Sequence, residues 1–356
     1  MSTQSQSIDE NKLHEFMGKM VGDLAAASSG VLVVIGQKLG LYKALAEHGP
    51  LNADDLAERT GTTARYVLEW LSNQAASGYV QYDPEKSHFS MTAEQAVVFA
   101  DEESPFYMGG GFTSIASLFA DEPKISNAFR TGEGVSWGAH DSCLFCGVAK
   151  FFKPTYKAHL IPSWIPALDG VQGKLEKGGE AADVGCGFGH STLLMAETFP
   201  NSHFYGFDFH QPSIDQAKQL ALEKGLKNVT FETAKAKEFP GESYDLVTFF
   251  DCLHDMGDPA GAAKHVYSKL DPNGTWMIVE PFANDSLEQN LNPVSQVYYS
   301  FSTTVCTPSS LSQEVGLALG AQAGEKRLRE VVTSGGFKQF RRVAETPFNM
   351  VLEARR

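Results

Sequence analysis

The residues best suited to chemistry begin at 181–190, "AADVGCGFGH", where Gly185, Gly187 and Gly189 alternate with other residues between an apolar run and a helical-looking segment. Glycines so placed let a backbone approach a nucleotide-like ligand closely. The dinucleotide fingerprint G-x-G-x-x-G needs a glycine where His190 stands, and an imidazole obstructs the helix–strand contact which that glycine permits. A phosphate-cradling P-loop is excluded as well, because no Gly-Lys-Ser/Thr follows. Asp183 stands on the strand just before the first glycine, where a carboxylate suits a positive amino group better than a pyrophosphate. Asp208 closes the next strand-like run, "HFYGFD", about 20 residues past the glycines, where an acid can accept both hydroxyls of a ribose.

Those side chains must be positioned by the elements around them. From 180 onward, strand-like runs at 181–185, 203–208, 229–234, 244–250, 275–281, 337–343 and 349–354 alternate with helix-like stretches at 190–199, 212–225, 259–270 and 310–335. Such alternation predicts an α/β fold with a doubly wound, Rossmann-like seven-stranded sheet. The last two runs are joined only by "ETPF", too short for a crossover helix, so the final strands form an antiparallel hairpin. Upstream, helical stretches at 30–49, 51–61 and 62–80 lead into two strand-like runs around "DPEK", the pattern of a winged helix. Its recognition-type helix, residues 62–78, offers Arg65 as its one cation, against Glu69, so the electrostatic basis of DNA binding is nearly absent. A dimerisation module is the favoured reading. Three parts follow: residues 1–100, winged-helix-like; 101–178, a linker with aromatic helices covering a pocket; and 179–356, the ligand-binding domain. Within the linker, 155–169 reads as helical although Pro162 and Pro166 should interrupt it.

At this point "EAADVGCGFGHSTLLMAETFPNSHFYGFD", "YDLVTFFDCLHDMGDP" and "SKLDPNGTWMIVEPF" resemble, in order, the motifs of class I S-adenosylmethionine-dependent methyltransferases. With its winged helix the chain is similar to bacterial small-molecule methyltransferases and to plant-type O-methyltransferases that dimerise through such a domain. The resemblance implies S-adenosylmethionine as cofactor and a set of donor contacts. Asp183 and the backbone of Gly185, Gly187 and Gly189 hold the methionine part; Asp208 holds the ribose, with Phe209 beside the adenine. Asp251 and Cys252 line the donor near its sulfonium. Relatives often carry Gly-Asp-Ala where this chain has Ala234, Lys235 and Ala236, and Lys235 cannot accept a bond from the adenine amine.

Methyl transfer to oxygen or nitrogen can require a base, and histidine is the usual one near neutral pH. His254 in "CLHDMGDP" lies just past the carboxyl end of a strand, where α/β sheets present their sites. It resembles the base of the plant-type enzymes, with Met256 in place of their tryptophan, and Glu280 falls where they have an acid orienting it. The alternative for His254 is a residue that only caps its loop. "HDSCLFC" gives His140, Cys143 and Cys146 ligand-like spacing, but no second paired motif completes a zinc site, so packing is expected and no metal. Thiol-based arsenic methylation is a lesser alternative for the two cysteines. Asp251, Asp255 and Asp258 lack the following Asp-Asn pair that metal-assisted catechol chemistry needs.

Trp137, Phe145, Phe151, Phe152, Tyr156, Trp164 and the run "YYSF" at 298–301 could wall an apolar acceptor pocket. The expected activity is methyl transfer to a small, apolar or aromatic acceptor, most simply at oxygen, by a homodimer. The competing class is a winged-helix regulator with a vestigial donor-binding domain; a nicotinamide oxidoreductase is a third. A formal charge of −14 over 356 residues disfavours nucleic acid and anionic membranes as partners. The acidic, polar opening "MSTQSQSIDENK" reads as a disordered lead rather than a secretory signal, and five scattered cysteines fit free thiols in a cytoplasm. No apolar run is expected to span a bilayer.

Overall fold

A computed structural model describes residues 8–356. The chain divides into a first unit ending at Ala116 and a second running from Ser117 to Arg356.

The first unit opens with α1 (Glu10–Lys38), followed by α2 (Leu41–His48), α3 (Ala53–Thr60) and α4 (Ala64–Ala76). A two-stranded wing, β1 (Gln81–Asp83) and β2 (His88–Ser90), and α5 (Ala93–Phe99) complete the winged helix. Local signals set these boundaries. Asn52 caps α3 by accepting the N–H of Asp55, and Gly61 ends that helix in the left-handed region. Thr92 and Gln95 form a reciprocal capping box on α5. Inside, the Tyr42 hydroxyl donates to Gln74 Oε1 at 2.5 Å, and the Trp70 indole N–H donates to the Leu32 carbonyl at 2.8 Å.

Three expectations meet corrections here. The lead falls outside the described residues only over 1–7, and the chain is helical from Glu10. The stretch 30–49 is two helices, because the chain turns at Leu39 and Gly40, the latter with φ of 68°. Finally, α1 is long and apolar enough to cross a membrane by length and composition, with mean hydropathy 1.5 over its most apolar window.

The chain passes into the second unit through α6 (Gly109–Ala120), then α7 (Glu122–Thr131), α8 (Ser142–His159) and α9 (Val171–Lys177). Pro162 does interrupt the 155–169 stretch: α8 stops at His159 and a single π-helical turn covers Leu160–Trp164. The sheet domain then follows as β3 (Glu180–Val184), α10 (His190–Thr198), β4 (His203–Asp208), α11 (Gln211–Lys224), β5 (Val229–Thr233) and β6 (Tyr244–Phe250). It ends with α12 (Pro259–Lys269), β7 (Leu270–Pro281), α13 (Pro293–Phe301), α14 (Thr307–Leu311), α15 (Gly324–Ser334), β8 (Gln339–Glu345) and β9 (Asn349–Arg355). The single helix expected over 310–335 is therefore two, α14 and α15, separated by a loop.

Strand order is β5-β4-β3-β6-β7-β9-β8, parallel except for β9, which runs antiparallel to both β7 and β8. Alternation along the strands feeds two cores. Val247, Phe249, Trp276 and Ile278 face one, while Leu246, Phe250, Met277 and Val279 face the other, with Tyr156 and Trp164 packed over them. The order reverses between β3 and β6, so the loops after these two strands flank the crevice where open α/β sheets bind ligands.

Candidate functional site

A cavity of about 370 Å³ opens at that crevice within the second unit. One side is the loop between β3 and α10. Gly185 adopts a φ of 75°, and a Cβ there would lie 2.7 Å from the Cys252 Sγ. Gly187, with φ of 52°, has no atom within 4 Å of where its Cβ would stand, so its backbone faces open space on the cavity wall. Gly189 does not line the cavity; it sits against Phe231.

The acids of this region divide into different roles. Asp183 is buried behind the loop rather than on the cavity wall. It accepts from the hydroxyls of Ser191 at 2.7 Å, Thr192 at 2.6 Å and Thr248 at 3.0 Å, which ties α10 and β6 to β3. Burial raises its pKa to about 6, against those three hydroxyls, which lower it. Asp208 does line the cavity, accepting the N–H of Gly187 at 2.9 Å and that of His210 at 2.8 Å. Burial also raises its pKa, opposed by these backbone bonds.

Asp251 ends β6 with a φ of 49° and reaches the wall beside Cys252. Its Oδ1 accepts from the Asn349 side chain at 2.8 Å, while Oδ2 is buried with no hydrogen-bond partner. Burial, reinforced by Glu280, holds its carboxyl well above the usual range. Cys252 donates to the Val184 carbonyl. Phe209, Ala234, Lys235 and Ala236 complete this end, with the Lys235 side chain extended toward Glu238 in the solvent.

His254 and Glu280 are brought together: Nδ1 of the imidazole lies 2.5 Å from Oε2, and Oε1 accepts the N–H of Leu253. Both are buried and neither reaches the cavity wall, which is formed here by Asp255 and Met256. Asp255 Oδ1 stands 3.2 Å from the other imidazole nitrogen, Nε2. Burial acts to lower the His254 pKa, but Glu280 and Asp255 outweigh it and hold it well above the ordinary value.

Trp137, Phe145, Phe152 and Tyr156 add an aromatic wall to the cavity. Phe145 stacks on His210, ring centroids 4.7 Å apart, with Trp137 at its edge. Trp164 and Tyr298 instead lie in the core, and Phe151 is not on the wall. His140 does not converge with Cys143 and Cys146; it pairs with Asp121 at 2.9 Å. The groups that do converge are His254, Asp255 and Cys306. Sequence reasoning missed His210, Asp121, Ser309 and Cys306, none of which carries a motif around it.

Comparison with known proteins adds to this geometry. Residues 175–336 match the family model described as a methyltransferase domain, and residues 27–100 match the Rv2258c-like winged HTH domain. An uncharacterized methyltransferase of Bacillus subtilis, YcgJ, is 28% identical over 119 residues, 32% of this chain and 46% of its own. The chain spans about half or less of the length of the curated relatives it matches. A putative O-methyltransferase of Nostoc punctiforme shares the fold with a TM-score of 0.69 at 16% identity, covering 98% of this chain and 99% of its own. Human N-acetylserotonin methyltransferase, solved in complex with SAM, gives 0.68 at 16% identity over 100% and 99% of the two chains. At these identities the structural likeness is one of fold. Residues 175–336 are therefore a methyltransferase domain, in a chain that joins it to an N-terminal winged helix-turn-helix domain.

Proposed function

We propose that the chain transfers a methyl group from S-adenosylmethionine to an oxygen of a small apolar or aromatic acceptor, and that it does so as a cytoplasmic homodimer joined through its first unit. The observation that carries this reading is one cavity that joins acidic and glycine-loop groups to an aromatic wall. Asp251 Oδ2 is a buried carboxylate oxygen without a partner, beside a glycine loop whose backbone faces open space. A ligand with a positive amino group on a riboside satisfies both. The same cavity carries an aromatic wall, Trp137, Phe145, Phe152 and Tyr156.

The residues fit the donor. Asp251 and the backbone of Gly185 and Gly187 would hold its amino-acid part, Asp208 its ribose, and the Ala234–Lys235–Ala236 stretch with Phe209 its adenine. Asp183 supports the loop from behind. When bound, S-adenosylmethionine supplies an electrophilic methyl on a sulfonium. The chain's own part is to position the acceptor in line with it, which the aromatic wall does while excluding water. The acceptor hydroxyl loses its proton where Asp255 faces the cavity and His254 and Glu280 stand behind it. The dimer reading is supported by α1, whose Phe16, Met17, Val21, Leu24 and Val31 are all exposed along one stripe.

The test is product formation with labelled donor and a panel of phenols, alkyl alcohols and amines. Phenols are expected to be methylated, with His254→Ala lowering the rate ~10²-fold or more. Turnover confined to amines, or a His254→Ala rate near that of the parent chain, would overturn the assignment.

A further inference from the structure

His254, Asp255 and Cys306 each present one ligand atom, and these atoms lie within 4.8 Å of one another. They come from two separate segments. His254 and Asp255 follow β6 in a short 3-10 turn at Leu253–Asp255, and Cys306 closes a π-helical turn at Ser302–Cys306. Glu280 takes the Nδ1 of His254, which leaves Nε2 as the coordinating nitrogen. A metal-bound imidazole ordinarily gives its other N–H to a carboxylate, and Glu280 stands in that place. Asp255 Oδ1 faces Nε2 at ion-pair distance, 3.2 Å, yet it is buried and accepts no well-directed hydrogen bond.

A second imidazole is set up the same way. His140 is buried, its Nδ1 bonded to Asp121 Oδ2, and its Nε2 has no hydrogen-bond partner. The hydroxyl of Ser309, on the adjoining cavity wall, is likewise buried and unpartnered. Glu280 is buried here, and the His254 imidazole stands between its carboxylate and that of Asp255.

We propose that Nε2 of His254, a carboxylate oxygen of Asp255 and Sγ of Cys306 bind a divalent cation of the zinc class. A thiolate with imidazole and one carboxylate selects zinc or cobalt over magnesium or calcium, which prefer oxygen donors alone. Binding displaces both the Cys306 thiol proton and the proton on Nε2 of His254, so two protons go to solvent for the thiolate–metal and imidazole–metal bonds formed. Asp255 and Ser309 border the cavity, so an open coordination position faces it. There the cation would acidify an acceptor hydroxyl, a consequence that rests on the methyl-transfer reading; the site itself does not.

The test uses the full chain, stripped with a chelator and titrated with zinc against a chromophoric competitor, and with cobalt(II) followed by absorption. About one zinc per chain is expected, and cobalt should show a thiolate charge-transfer band. Cys306→Ser should remove that band, and Glu280→Gln should weaken zinc roughly 10–100-fold. Cys146→Ser, an exposed position on α8, should change neither. Calorimetry with S-adenosylhomocysteine reports folding of each variant and reads donor binding. A parent chain that binds S-adenosylhomocysteine but no zinc overturns the metal site and leaves methyl transfer standing. A cobalt band that survives Cys306→Ser also overturns it. Where Cys306→Ser fails to bind S-adenosylhomocysteine, Asp255→Asn decides by the same zinc titration.

Discussion

Asp183 shows how one carboxylate can be legible as important while its task is not. Its place before the glycines was readable, but the three hydroxyls that surround it come from α10 and from the neighbouring strand β6. Those contacts turn it into a brace behind the loop. The consequence is a pH dependence with a definite sign. Its pKa is about 6 in the folded chain against an ordinary 3.8, so between pH 4 and pH 6 the folded state keeps a proton that the unfolded state releases. The stability it contributes is fully present below the unfolded value and is lost as pH rises through the folded one, by an amount on the order of 3 kcal/mol. Asp183→Asn, permanently neutral, should flatten that slope in urea denaturation at pH 4, 5 and 6. Equal slopes in the two proteins would contradict this account. The same contrast applies elsewhere in the site. The contact of His254 with Glu280 could be anticipated, because both follow ends of adjacent strands. Cys306 could not, because a π-helical turn after α13 brings it in.

At the scale of elements, strands were easier to read than helix ends. The alternation in β6 and β7 follows from a sheet covered on both faces, and the short "ETPF" link requires the antiparallel β8–β9 pair. Helix breaks were harder to see. The turn at Gly40 lies inside a continuous apolar pattern, and the break at Pro162 takes the form of a π turn directly after α8 rather than an extended link. The long helix α1 was underestimated because its start is polar. Its exposed Phe16, Met17, Val21, Leu24 and Val31 are the side chains that the proposed dimer would cover. Light scattering should therefore give twice 38.7 kDa for the parent chain and about half of that for Leu24→Glu. A monomeric parent chain, or one that sediments with membranes, would contradict the assignment.

For the whole molecule, the order β5-β4-β3-β6-β7-β9-β8 gathers the loops after β3, β4 and β6 around one crevice. This is why residues as distant as Gly185, Asp208 and Asp251 line a single cavity. The order of motifs along the chain was enough to anticipate that gathering. Which aromatics of the middle segment face the cavity was not readable, since they carry no spacing that separates wall from core: Phe145 lines the cavity, whereas Trp164 is buried under the sheet. The central claim is that this crevice holds a sulfonium donor rather than a dinucleotide. Calorimetry with S-adenosylhomocysteine and NAD side by side tests it most directly, using the parent chain and Gly185→Ala, whose added carbon would meet the Cys252 sulfur. The account predicts about one S-adenosylhomocysteine per chain, no heat with NAD, and at least a tenfold loss of affinity in the variant. Binding of NAD, or no binding of S-adenosylhomocysteine, would contradict it.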